Sequence, residues 1–311
     1  MRRASVALLG AGLFLVHGAL PAAAQADSWE ICIATNGTGA TRLPACTDVI
    51  ENKKVEGRKL AGALCIRGND RTEKGELDAA LADLNEAIKI DPTYACAFSN
   101  RGRVYSFKRD YDRAITEYDE AIRLDPKLVL AWNNRGDAYA NKGDLDRAIA
   151  DFDEAIRRAP SFARAYGNRG HAYQRKRDYR RAIEDYSTLI RIAPDLTAYI
   201  NRGNAYRDSE QLDRAIADYT AAIKLAPEDA RGWRNRGLTR LFKDDLKGGL
   251  ADYNKALEYD PADVYSWNNR GQAKMRLGDK KGAIADFRKA LELKPGLETA
   301  LASLEKLGVK P

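Results

Sequence analysis

The chain has 311 residues, 44% of them hydrophobic and 31% charged, with a formal charge of +7. Length alone suggests two compact domains. A net charge this small among so many charged residues argues against a dedicated nucleic-acid binder, which would concentrate basic charge on one face.

Arg2 and Arg3 precede an apolar run from Val6 to Leu20, and small residues follow before Asp27. Residues 1–26 therefore read as a secretory signal peptide, cleaved after Ala26 or Ala24. The run is short for a spanning helix, no lipid-attachment cysteine follows it, and no other stretch is apolar enough to cross a bilayer. Cleavage removes two arginines and no acid, taking +7 to +5, and implies a periplasmic or secreted location. Cys32, Cys46, Cys65 and Cys96 are an even set in an exported chain, which suggests disulfides. Three connectivities are open, and placement favours Cys32–Cys46 with Cys65–Cys96.

Residues 27–60 predict two short helices, "DSWEICIA" and "LPACTDVIENKK", around the Gly/Thr-rich "TNGTGATR". So small a pair has little core. A Cys32–Cys46 bridge closing about 15 residues would add roughly 3 kcal/mol in the chain-entropy model.

From residue 61 one pattern repeats. Its clearest copy runs from Trp132 to Pro160. Trp132, Gly136 and Tyr139 fall on one face of a first helix, and Ala148, Phe152 and Ala155 on one face of a second. Gly143 ends the first helix and Asp144 caps the next; Pro160 stops it. Counting each unit from its first residue, position 8 is Gly68, Gly102, Gly136, Gly170, Gly203, Gly237 and Gly271. Position 32 is Pro92, Pro126, Pro160, Pro194, Pro227, Pro261 and Pro295. Both series step by 34, with one step of 33 after the fourth unit. Position 24 is aromatic in six units (Tyr118, Phe152, Tyr186, Tyr219, Tyr253, Phe287) and Leu84 in the first.

This self-similarity resembles the tetratricopeptide repeat, a helix–turn–helix unit of 34 residues. The resemblance implies an all-α fold: a right-handed superhelical α-solenoid of antiparallel helix pairs. It covers seven units, 61–94, 95–128, 129–162, 163–195, 196–229, 230–263 and 264–297. Residues 27–60 then serve as a degenerate N-terminal helical cap, and 298–311 as a solvating helix and tail with Leu297, Leu301 and Leu304 as its apolar stripe. A solenoid has no single central core, so the two-domain estimate from length does not apply. Cys65 and Cys96 fall one turn apart on adjacent first helices, where a bridge is geometrically plausible; two buried thiols are the alternative. In the sixth unit Gly249 replaces the alanine of position 20 and Arg240 the tyrosine of position 11, so this unit is expected to be the least rigid.

Catalysis finds little support. His17 leaves with the signal peptide, and the remaining histidine, His171, has no carboxylate partner fixed by sequence. No zinc spacing, phosphate-cradling loop or nucleophile elbow occurs. The expectation is a non-enzymatic chain without cofactor or metal.

Two rows of polar residues need explanation. Position 7 is arginine in all seven units (Arg67, Arg101, Arg135, Arg169, Arg202, Arg236, Arg270), and position 23 is acidic in all seven (Asp83, Glu117, Asp151, Asp185, Asp218, Asp252, Asp286). These predict a repeated structural ion pair between first and second helices. Position 6 is asparagine in six units: Asn100, Asn134, Asn168, Asn201, Asn235 and Asn269. In the repeat family this position looks into the concave groove, and an amide offers both donors and an acceptor. The row resembles the asparagine ladder in the superhelical repeat region of the O-linked N-acetylglucosamine transferase, which implies a grip on the main chain of an extended peptide. The alternative is that these amides only satisfy neighbouring helices.

The other groove positions carry Arg103, Arg164, Arg175, Arg207, Arg231, Arg234 and Arg276 against Glu73, Asp137 and Asp208, with Phe107, Leu241 and Phe242 as apolar pockets. This predicts a preference for acidic segments or a C-terminal carboxylate, tempered by Glu228, Asp229 and Asp263 at repeat ends. The lysine that chaperone-binding relatives use at position 5 is absent from every unit. The favoured function is a protein–protein interaction module binding an extended segment. The alternative is an assembly subunit of an envelope complex using its convex face or ends.

Overall fold

The structure, a computed structural model, describes residues 28–34 and 38–310; the predicted signal peptide, His17 and the tail residue 311 lie outside them. Seventeen helices and no strand occur among the described residues. The N-terminal pair is α1 (Ser28–Ile33) and α2 (Gly39–Glu51). Seven hairpins follow: α3 (Gly57–Glu73) with α4 (Leu77–Ile90), α5 (Ala95–Phe107) with α6 (Tyr111–Leu124), α7 (Val129–Lys142) with α8 (Leu145–Arg158), and α9 (Ala163–Arg175) with α10 (Tyr179–Ile192). The last three are α11 (Leu196–Asp208) with α12 (Leu212–Leu225), α13 (Ala230–Phe242) with α14 (Leu246–Tyr259), and α15 (Val264–Arg276) with α16 (Lys280–Leu293). A single helix, α17 (Glu298–Lys306), closes the array. Each hairpin packs only on its neighbours, and the whole is a right-handed superhelical solenoid.

The hairpin geometry follows from a few side chains. At the turn, Gly143 takes the left-handed conformation, φ 89°, and the Asp144 carboxylate accepts the Arg147 N–H at 3.1 Å. Asp110, Asp178, Asp245 and Asp279 cap their helices in the same way. The two helices then cross closely because position 8 has no side chain. A Cβ added to Gly136 would lie 2.8 Å from Phe152 Cε1, and the rings of position 24 are buried with the alanines of position 20. In the sixth unit the space above Gly249 is taken by Leu241, whose Cδ2 would come within 2.8 Å of an added Cβ. The glycine predicted to loosen this repeat is thus one its packing requires.

First helices of neighbouring repeats touch one another, whereas second helices do not. The stack therefore curves with the first helices inside, and these line the concave face. Contacts across joints are also periodic. Lys108, Lys142, Lys176 and Lys243, at position 14, pair with Asp78, Asp112, Asp146 and Asp213, at position 18 of the preceding unit. Trp132, Tyr166, Trp233 and Trp267 donate to the carbonyls of Pro126, Pro160, Pro227 and Pro261 at 2.8–3.1 Å. The joint between the fourth and fifth units, one residue shorter, has neither tie: its residues at those positions are Ser209, Arg180 and Tyr199, and no such bond forms among the described residues.

In the cap, Cys32 and Cys46 are joined with Cα atoms 4.7 Å apart, and Val49, Val55 and Ala63 pack around them. The second cap helix begins at Gly39, inside the predicted Gly/Thr-rich turn, and carries Pro44 within it. Pro44 is solvent-exposed, so the carbonyl it leaves without a donor can meet water. The predicted Cys65–Cys96 bridge is not formed; both cysteines are free. Cys65 turns into the core, where burial pushes its thiol up to about 12, while Cys96 faces solvent. The two thiols are near enough for Cys96 to raise Cys65 further, yet they are not joined. α17 ends at Lys306, and Gly308 beyond it turns left-handed at φ 70°, leaving the last residues as the tail.

Candidate functional site

The arginine row is fully engaged. Every position-7 guanidinium reaches the acid of its own second helix at 2.6–2.8 Å. In six units the contact is bidentate, with Nε and Nη2 each donating to one carboxylate oxygen, as in Arg135–Asp151 at 2.8 and 2.7 Å. The exception is the single glutamate. Glu117 accepts only from Arg101 Nη2, at 2.8 Å, and Arg101 Nε is left buried without a partner. The Nη1 of the guanidinium reaches back across a joint in six units, for example Arg135 to Asp119 at 2.6 Å and Arg270 to Asn254 at 2.9 Å; Arg101, Arg169, Arg202 and Arg236 do likewise. The aromatic of position 4 covers the same guanidinium, with Arg135 4.9 Å from the Trp132 ring centre. In the first, sixth and seventh units a second cation, Arg71, Arg240 or Lys274, shares the acid. Apart from the buried Arg101 Nε, which solvent does not reach, these guanidinium groups are taken up by the fold.

The asparagine row, one residue earlier on the same helices, is different. All six side chains are half-buried, and each keeps hydrogen-bonding capacity. Asn100 donates to the Cys65 carbonyl and Sγ at 3.4 and 3.2 Å, leaving its own carbonyl unengaged. Asn168 donates to Asn133 at 3.1 Å, and Asn133 donates to Asn134 at 3.2 Å. This joins two ladder members through a buried amide and leaves the Asn134 NH2 and the Asn168 carbonyl open. Asn269 accepts from Asn268 at 3.1 Å. Asn201 and Asn235 have no side-chain hydrogen bond among the described residues. Four of the amides are thus positioned by neighbours without being consumed by them, and the other two are unengaged. The buried asparagines Asn133 and Asn268 escaped sequence reasoning; the signal was an asparagine repeated at position 5 next to one at position 6.

The predicted basic groove is largely neutralised. Arg103 pairs with Glu73 and also donates to Asn69. Arg207 pairs with Asp208 at 2.9 Å, Arg231 with Asp229 at 2.9 Å, Arg234 with Asp263 at 3.3 Å, and Arg276 with Asp244. Acids from repeat ends and turns fold over the groove edge, so counting groove positions alone overstated its charge. Two arginines stand apart. Arg164 is exposed and unpaired among the described residues, and Arg175 meets only the Ala140 carbonyl, at 2.6 Å. His171 lies within electrostatic reach of Asp137, but burial, and then Arg175, hold its imidazole below the usual histidine range. Burial raises the Asp137 carboxyl.

Of the predicted apolar pockets, Phe107 and Phe242 are exposed, at 53% and 62%, whereas Leu241 is buried over Gly249 and does not face the groove. Phe107 borders a recess of about 300 Å³ with Arg103, Asn134 and Asp137. Phe242 borders another of about 760 Å³ with Arg207, Asp208 and Leu238. Among the described residues no three His, Cys, Asp or Glu side chains form a group able to hold a metal ion, and no helix is long and apolar enough to cross a membrane.

Family models agree with this architecture. Models described as tetratricopeptide repeat match residues 99–163, 163–196 and 264–297, and one described as TPR repeat matches 68–106 and 203–241. The matches touch all seven hairpins, and the chain belongs to the tetratricopeptide repeat family. Among solved structures it resembles a repeat protein from Parabacteroides merdae, with 20% identity and a TM-score of 0.59 over 79% of this chain and 98% of that one. It also resembles YrrB, a repeat protein with an unusual peptide-binding site (21%, 0.50, 60% and 97%). MamA from Desulfovibrio magneticus RS-1 is a third (25%, 0.51, 54% and 96%). These likenesses are of fold. No curated protein matches the sequence significantly.

Proposed function

We propose that this protein is a non-catalytic interaction module that holds an extended segment of a partner protein in its concave groove, in the periplasm or outside the cell. One observation carries the reading: six half-buried amides in a row, four of them held by hydrogen bonds to neighbours and all six with a donor or acceptor to spare. An extended segment laid across the row offers alternating N–H and C=O groups, and amides of this kind satisfy them without reading side chains. Each contact contributes about 1 kcal/mol net, so affinity builds over several repeats. Exposed Phe107 and Phe242 add apolar contacts toward either end of the groove. A peptide-binding site in YrrB, of the same fold, supports the class of function and says nothing of these residues. The leader-like segment at 1–26 and the Cys32–Cys46 pair support an export route.

The test is a peptide array probed with the wild-type chain and with Asn168→Ala combined with Asn201→Ala. Loss of binding in the double variant is expected; binding that survives it overturns the ladder mechanism. A second reading, an assembly subunit joined through its ends, is favoured by an apolar recess on the free side of α17 lined by Leu301, Ala302 and Val309. Native mass measurement separates the two, because a constitutive oligomer that ignores groove substitutions fits only the second.

A further inference from the structure

Charge compensation along the groove fails in one place. Five of the seven groove arginines have an acid of their own, and the two without, Arg164 and Arg175, stand on the same helix, α9. Arg164, Asn168, His171 and Arg175 follow at steps of four, three and four, which places them in one stripe along the groove side of α9. By helix rise, Arg164 lies about 6 Å to one side of Asn168 and Arg175 about 10 Å to the other.

The surroundings leave this stripe without acids of its own. Position 5 of this unit is Gly167, which packs against Leu189 of α10 and offers no side chain to the neighbouring arginines. The other units place Cys65, Ser99, Asn133, Ile200, Arg234 or Asn268 there. The nearest groove acids are already occupied: Asp208 by Arg207 and Gln174, and Asp137 by the Asn141 amide.

We propose that α9 is where the groove reads acidic side chains. Two carboxylates of the bound segment straddle the Asn168 contact, one meeting Arg164 and the other Arg175. The proposal rests on the extended-segment reading above. It adds a rule of spacing, because side chains of an extended segment alternate between its two sides. Carboxylates at i and i+1, or i and i+3, reach opposite flanks of the asparagine row. Those at i and i+2 point to the same flank and leave one arginine unmet.

The experiment is a randomised array of twelve-residue peptides, followed by fluorescence polarisation with the peptides that bind. Acid pairs at odd spacing are expected among the binders. Arg164→Ala and Arg175→Ala should each weaken them about fivefold, the size of a charge-assisted contact at an exposed site. Arg157→Ala, on the outer helix α8, should change nothing. Arg164→Glu with Arg175→Glu should turn the preference toward lysine pairs; both side chains are exposed, so the fold is not at stake. Peptides that bind through Asn168 and Asn201 but ignore acid content, spacing or both arginines overturn this inference and leave the ladder standing. An array without binders, or binders indifferent to the asparagines, overturns the ladder and this inference with it.

Discussion

Positions 6 and 7 of each repeat are neighbours in the chain, yet they belong to two regions with opposite economies of hydrogen bonding. The seam between first and second helices holds seven arginines, each bound to a buried or nearly buried acid and six of them also tied to the preceding repeat. The groove face holds six asparagines that use only part of their capacity. Both rows are strictly periodic, so periodicity does not distinguish a structural residue from a binding one. What separates them is whether the fold leaves anything for a ligand to bond.

The largest expected effect strikes the seam. Asp252 serves both Arg236 and Arg240, and Asp252→Ala strands two guanidinium groups. Urea unfolding should show a loss of about 4 kcal/mol, in the range for breaking a buried pair; a loss below 1 kcal/mol would mean the seam is ornamental. Next is Gly136→Ala, where the new methyl meets Phe152 at 2.8 Å and the Ala148 carbonyl at 3.1 Å. A cost of about 2 kcal/mol is expected from overpacking. Gly237→Ala should cost less, because there the nearest atom is 3.2 Å away.

A gain is expected from Glu117→Asp. It restores the bidentate geometry of the other six units and gives the buried Arg101 Nε its partner. The unfolding midpoint should rise, by about 1 kcal/mol in stability terms. The smallest effect on stability belongs to the groove. Asn168→Ala with Asn201→Ala should shift stability by no more than about 0.5 kcal/mol, as for other surface changes, while peptide binding is lost. A large destabilisation would place the asparagine row in the same class as the arginine row and undo the contrast.

Much of this architecture was legible in the chain because a repeat prints the same instruction seven times. The phase of the helices, the stops at proline, and the pairing of Arg135 with Asp151 sixteen residues away all stay within one unit, where local periodicity decides who meets whom. The seams between units were harder to read. Lys142 reaches Asp112 thirty residues back, and Arg234 finds Asp263 across a joint. Such pairings depend on how far each hairpin rotates against the last, which no pattern within a unit states. Cys65 and Cys96 show the same limit: adjacent helices were foreseeable, but not that one cysteine is buried, the other exposed and the pair unbridged.

By itself the sequence settled the secondary structure, the number and phase of the repeats and the ion pairs inside each, since these rest on 3.6-residue periodicity and short-range reach. Only the tertiary structure decided which groove arginines remain unsatisfied and which amides keep a free bond. Those outcomes depend on how neighbouring hairpins sit against one another, which carries Glu73 to Arg103 and Asp244 to Arg276 and passes Arg164 and Arg175 by.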